Sequence, residues 1–255
     1  MHMILHHLKV ALRNLMKYKL QTFISVLSIA IGIVTLAIAL ISYMVQANLQ
    51  SKFKKFGAVR LASGMTGREV AEKMLRDHGI THVRVTSVKG HLTDHYNPTD
   101  GTVNLSDEVY NNCSVAAAAV AAHECGHAVQ HACAYGPLQL RSALVPVVSF
   151  ASTWVQWVLL AGILLVESFP SILLVGIGLF AVTTLFSFIT LPVEIDASRR
   201  ATAWLQRAGI TSAYDHPMAV SALRSAAYTY VVAALSSLAT LIYYVMIFLG
   251  GSRDD

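Results

Sequence analysis

The sequence predicts a mainly α-helical integral membrane protein with about four transmembrane helices, a helix carrying a metal-ligand pattern, and a small β-ribbon close to the membrane. Three observations predict it. Hydrophobic residues make up 55% of the 255 positions and charged residues only 13%, a balance unlike that of most soluble domains. Four uncharged apolar runs, Thr22 to Val45, Ala143 to Val166, Ser171 to Leu191 and Tyr228 to Leu249, are each long enough to cross a bilayer. Between the first two runs lies His123-Glu124-Cys125-Gly126-His127, whose two imidazoles stand four residues apart and so share one face of a helix.

Charge and cysteine content narrow the class further. The net charge is +5, and the Lys and Arg residues gather beside apolar runs, which suits lipid headgroups. No nucleic-acid module is present. Cys113, Cys125 and Cys133 are an odd number without a disulfide-framework spacing, so a reducing compartment or plain burial accounts for them. Cys125 turns about 100° away from His123 on a helix and reads as a small core residue.

Taken in order, residues 1–50 hold an amphipathic segment with Lys9, Arg13, Lys17 and Lys19, then the first span. That span exceeds a signal-peptide core of roughly 7 to 15 residues, so a retained helix is expected. Residues 51–142 form a membrane-proximal region. Thr66-Gly67-Arg68-Glu69 is a capping box opening a helix that Gly79 closes. His82 to Thr86 alternates at period two, Leu92 to Tyr96 can form a second strand, and Asn97 to Gly101 is a turn before a third, Thr102 to Leu105. This ribbon is either a strand against which an extended polypeptide lies or a plain structural hairpin. His91, Asp94 and His95 read as surface or turn residues, with Asp94 and His95 kept as weak site candidates.

Ser114 is a suitable N-cap for a small-residue helix, Val115 to Ala122, leading into the His-Glu pattern, and Gly136-Pro137 stops it. Residues 143–191 read as a transmembrane hairpin turning at Glu167 to Pro170. Residues 192–227 follow as a further helix and linker, with Pro192 marking the helix start. Residues 228–255 are the fourth span and tail.

In an HExxH arrangement the histidines hold a zinc ion and the glutamate is a general base that takes a proton from the attacking water. The chemistry is peptide hydrolysis. Such a site needs a third protein donor. His131 shares the face of His123 and His127, but eight residues put its backbone about 12 Å from that of His123, too far for one ion. A third His six residues past His127 is absent, since Cys133 stands there. Glu194, after the third span, is the donor selected; the alternative is that Glu194 and Asp196 decorate a helix N-terminus, where the dipole favours acids. His131 then becomes a pocket-wall residue. For stabilising a tetrahedral intermediate the segment entering span four offers His216, Arg224, Tyr228 and Tyr230, of which the two tyrosines read as interfacial aromatics.

HECGHAVQH, Ser63 to Gly67, Gly90 to Tyr96, and Leu191-Pro192-Val193-Glu194 with Asp196 to Ala201 together resemble YugP-like membrane zinc metallopeptidases, from about Tyr43 to the end. The resemblance implies His123, His127 and Glu194 as ligands to one Zn2+ per chain and Glu124 as catalytic base, in a zincin-like fold. More widely the pattern is similar to gluzincins of the HtpX kind. That group often carries an aspartate four residues after the ligand glutamate, where this chain has Ser198. His216-Pro217 echoes a His-Pro element of the same group. Separately, residues 4–37 resemble the first helix of MacB/FtsX-type permeases.

Two functions are therefore expected to compete: a membrane zinc endopeptidase acting on membrane or membrane-proximal polypeptides, and a non-catalytic membrane scaffold or permease partner. Arg141, Arg199 and Arg200 flank the hairpin's open end while its turn offers only Glu167, so the positive-inside rule puts the site in the cytoplasm of a bacterial cell and both termini outside.

Overall fold

The computed structural model describes residues 32–90 and 93–251. The amphipathic start, most of the permease-like stretch, the beginning of the first span and His91 lie outside the described residues. Four described helices are long and apolar enough to cross a membrane: α1 (Gly32–Gly57), α5 (Gly136–Leu164), α6 (Pro170–Arg207) and α7 (His216–Gly251). The chain divides into two units, Met1–Tyr43 and Met44–Asp255. The described part of the first is the beginning of α1. The second contains everything else.

Inside that unit α2 (Gly67–Asp77) begins with the expected capping box. The Thr66 hydroxyl accepts from the Glu69 N–H, and the Glu69 carboxylate accepts from the Thr66 N–H at 2.8 Å, which satisfies two otherwise orphaned donors. Gly79, at φ +70°, ends it. The strands are β1 (Arg84–Val88), β2 (His95–Asn97) and β3 (Thr102–Ser106), followed by the short α3 (Asp107–Tyr110) and by α4 (Val115–Ala132).

The expected small ribbon is a three-stranded mixed sheet in the order β1-β3-β2, with β1 parallel to β3 and β2 antiparallel to it. β3 is central because four of its five residues are buried, whereas β1 and β2 are only partly covered and take the edges. Pro192, in contrast to expectation, does not start a helix. It lies inside α6, which runs unbroken for 38 residues. Proline removes the bond to the Phe188 carbonyl, but Val193 and Ala197 just beyond it are fully buried, and that packing carries the helix through. At 1.5 Å per residue α6 is about 57 Å long, so its last turns extend well past a hydrocarbon layer of about 30 Å. The second arm of the hairpin and the expected third-donor helix are therefore one continuous helix. Likewise α1 continues past Lys52, Lys54 and Lys55 to Gly57.

The core lies under α4. Val115 to Ala122 are all buried; Ala116 packs with Phe56 and Ala222, and the others with Val70 and Met74 of α2, Leu105 of β3, and Trp204 and Leu205 of α6. Small side chains on α4 let its neighbours approach from several sides. Trp204 donates its indole N–H to Asp77 at 3.0 Å, tying the end of α6 to α2.

Candidate metal centre

α4 delivers the His-Glu pattern where its all-buried alanine run gives way to the edge of a cleft. The helix is capped by the Ser114 hydroxyl, which accepts from the Ala117 N–H at 3.2 Å. Against it packs the emergent end of α6. The contact is close because residue 126 is glycine: a Cβ there would stand 2.6 Å from the Ala197 carbonyl oxygen, nearer than real Cβ atoms come. This approach brings Glu194 to the two histidines. Glu194 Oε2 lies 3.2 Å from His123 Nε2 and 3.5 Å from His127 Nε2, and one donor atom from each of the three residues falls within 4.8 Å of the others.

The far side of each imidazole is also engaged. Gln130 is fully buried and donates its amide N–H groups to the Val193 carbonyl at 2.8 Å and to Asp196 at 2.9 Å. Its carbonyl oxygen must then be the atom 3.1 Å from His127 Nδ1, so that nitrogen carries the proton and Nε2 presents a lone pair. Ser198 Oγ lies 3.1 Å from His123 Nδ1 and braces that ring from behind. Two imidazole nitrogens and a carboxylate oxygen, each ring fixed from behind, are a donor set that zinc accepts. The electrostatics agree. Burial opposes a positive charge on His127, but its bond to Glu194 and the charges of Glu124 and Glu194 outweigh burial and raise its pKa; the field that favours a proton there also favours a cation.

Glu124 stands beside this cluster, nearly buried, and its carboxylate accepts the Tyr96 N–H at 3.1 Å. Cys125 points the other way. It is fully buried with its thiol 3.6 Å from the Ala71 carbonyl, and burial pushes its pKa far up, so no thiolate is available.

The cluster opens into a cleft of about 430 Å³. Asp94, His95 and His131 line it without belonging to the cluster. Asp94 accepts from the Ser106 N–H at 2.7 Å, His95 Nδ1 lies 2.8 Å from the Thr93 carbonyl, and His131 Nδ1 is 3.1 Å from the Tyr96 hydroxyl. Of the four residues considered for the tetrahedral intermediate, only Tyr230 lines the cleft. Tyr230 is therefore more than an interfacial aromatic. His216 instead sits at the start of α7, 3.2 Å from the Thr211 hydroxyl, and Arg224 and Tyr228 are exposed.

Sequence reasoning missed Gln130 and Arg141. Arg141 reaches in from α5 with Nη1 3.6 Å from Glu194 Oε1. Gln130 had a legible signal, being three residues past His127 on a buried helix. Arg141 entered only the topology argument, since nothing local says that α5 turns its first charge toward Glu194 of α6.

Residues 31–249 match the family described as "Putative neutral zinc metallopeptidase", and the chain belongs to that family. It is 43% identical over 223 residues, 87% of this chain and 97% of the relative, to the protein named "Putative membrane protease YugP" of Bacillus subtilis (strain 168). No solved structure matches it significantly.

Proposed function

We propose that this member of the neutral zinc metallopeptidase family is a membrane zinc endopeptidase of the gluzincin type, holding one Zn2+ through His123, His127 and Glu194 and cleaving membrane or membrane-proximal polypeptides. The observation that carries the reading is the convergence of His123 Nε2, His127 Nε2 and Glu194 Oε2 beside Glu124 at the wall of an open cleft. A zinc ion bound there supplies the Lewis acid that lowers the pKa of water and polarises a carbonyl. Glu124 takes the proton of the attacking water and returns it to the leaving amine. The Tyr96 N–H fixes the orientation of that carboxylate. Tyr230 and Arg141, both lining the cleft, are the donors for charge developing on the carbonyl oxygen. β2 is an edge strand whose His95 and Tyr96 face the cleft, so an extended substrate can lie along it. In a bacterial cell membrane, the charges around α5 and α6 orient the site to the cytoplasm.

The test is elemental analysis of the purified protein with casein as substrate. About one zinc per chain, lost together with cleavage in His123→Ala, supports the enzyme; a metal-free and inert wild type after zinc loading points to the scaffold. Labelling of a cysteine introduced near Gly101 by an impermeant reagent applied from outside the cell would overturn the orientation.

A further inference from the structure

We propose that a second cavity, adjoining the metal cleft, selects the substrate side chain two or three residues from the scissile bond, and that it takes a bulky apolar one. The inference rests on the peptidase reading above. The cavity has a volume of about 550 Å³, larger than the cleft itself. Its floor is Val109, Ala116, Ala117 and Val120, all buried. Leu49 and Phe53 of α1 contribute the facing wall; of the charges, Lys54 and Glu108 are exposed and Asp94, half-buried, stands at the end shared with the metal cleft.

Three features join this cavity to the site. Asp94 lines both, and is fixed there by its bonds to the Ser106 N–H and hydroxyl at 2.7 and 3.1 Å. Both cavities also use one stripe of α4. At about 100° per residue, Ala116, Ala117 and Val120 in the first and His123, Glu124 and His127 in the second fall within about 120° of helix surface. Spacing completes the argument. Val120 and Ala116 precede His123 by three and seven residues, about 4.5 and 10.5 Å along the axis, and an extended chain advances about 3.3 Å per residue. A peptide with its scissile bond at the metal therefore lays its second or third neighbouring side chain over the alanine floor. That floor offers dispersion contact and no charge, so leucine, phenylalanine or tryptophan gains most there.

Gly57 supplies the means of narrowing the cavity, because it lines the wall and a Cβ added to it meets nothing within 4 Å. Cleavage sites made in unfolded casein by zinc-loaded full-length protein would be mapped by mass spectrometry. Peptides built on a mapped site would then carry Gly, Leu or Trp at the second and third positions on either side. We expect an apolar preference at one such position, with the Leu:Gly ratio of kcat/KM falling about tenfold in Gly57→Leu and the Trp:Leu ratio rising in Phe53→Ala. A ratio does not depend on how much of a variant folds. Unchanged ratios in both variants, or rates scaled equally for every peptide as a lipid-filled groove would give, overturn the subsite and leave the peptidase standing. No cleavage by the zinc-loaded wild type overturns both.

Discussion

Helices α4 and α6 bring their donors to one point, yet they are held there by different means. α4 has 18 residues, fifteen of them buried, and is enclosed by α2, β3, α6 and α7. α6 has 38 residues, eleven of them buried, and spends most of its length where a bilayer would cover it. His123, Glu124 and His127 thus stand on a helix positioned by an ordinary hydrophobic core. Glu194 stands on the projecting end of a membrane helix, whose Ala201, Trp204 and Leu205 join that core, and it is located by the Gly126 to Ala197 approach, the Gln130 bonds to Val193 and Asp196, and the Trp204 bond to Asp77. In this arrangement cleavage should fail through Glu124 of α4 without loss of metal, whereas metal retention should depend both on the α4 histidines and on the placement of α6.

Glu124→Gln separates those failures most widely. Cleavage is expected to fall by at least about 10³-fold while zinc content stays near wild type, and normal turnover in that variant would remove Glu124 as the base. Zinc affinity measured by competition with a chelator probes α6 next. Glu194→Ala should lose the metal, whereas His131→Ala should keep it, because His131 meets Tyr96 and lies outside the cluster. The reverse result would mean that α4 bends after His127 to bring a third histidine round. Gln130→Leu leaves all three donors in place but frees the His127 ring and the Val193 carbonyl together, and a 10- to 100-fold loss of zinc affinity is expected. Gly126→Ala tests the junction alone. The added methyl must push Ala197 away, costing about 1–3 kcal/mol of stability, and zinc affinity should fall along with the unfolding midpoint in a detergent-solubilised melt. If the melt shifts and zinc affinity does not, the helix approach matters to folding and not to the site.

Much of this was legible locally. The α2 capping box, the Ser114 cap and the Gly79 stop depend on neighbours in sequence and are where the pattern puts them; the four apolar helices are present too, but α5 starts already at Gly136, expected to stop α4, α6 runs on to Arg207 and α7 starts at His216 rather than Tyr228. The pair of histidines on one face of α4 is likewise a matter of helical period. Glu194 was selected as a donor, yet with a helix-end decoration as its equal, since no periodicity reports which residues 71 positions apart will meet. Pro192 misled, because the local tendency of proline to begin a helix was overridden by burial of Val193 and Ala197. The three strands were legible but their order was not: strand pairing is settled by which strand can be covered on both faces, and β3 becomes central only once α4 and α2 are in place.

The sequence by itself determined the helices, their caps, the membrane character and the pair of histidines on one helix face, because each rests on hydrophobic or helical period or on hydrogen bonds spanning a few residues. Only the tertiary structure decided that Gln130 and Ser198 stand behind the histidines, that Arg141 and Tyr230 enter the cleft, and that β3 is the central strand. Those facts depend on how closely two helices cross. Here the crossing distance is set by one missing methyl at Gly126 against one carbonyl at Ala197.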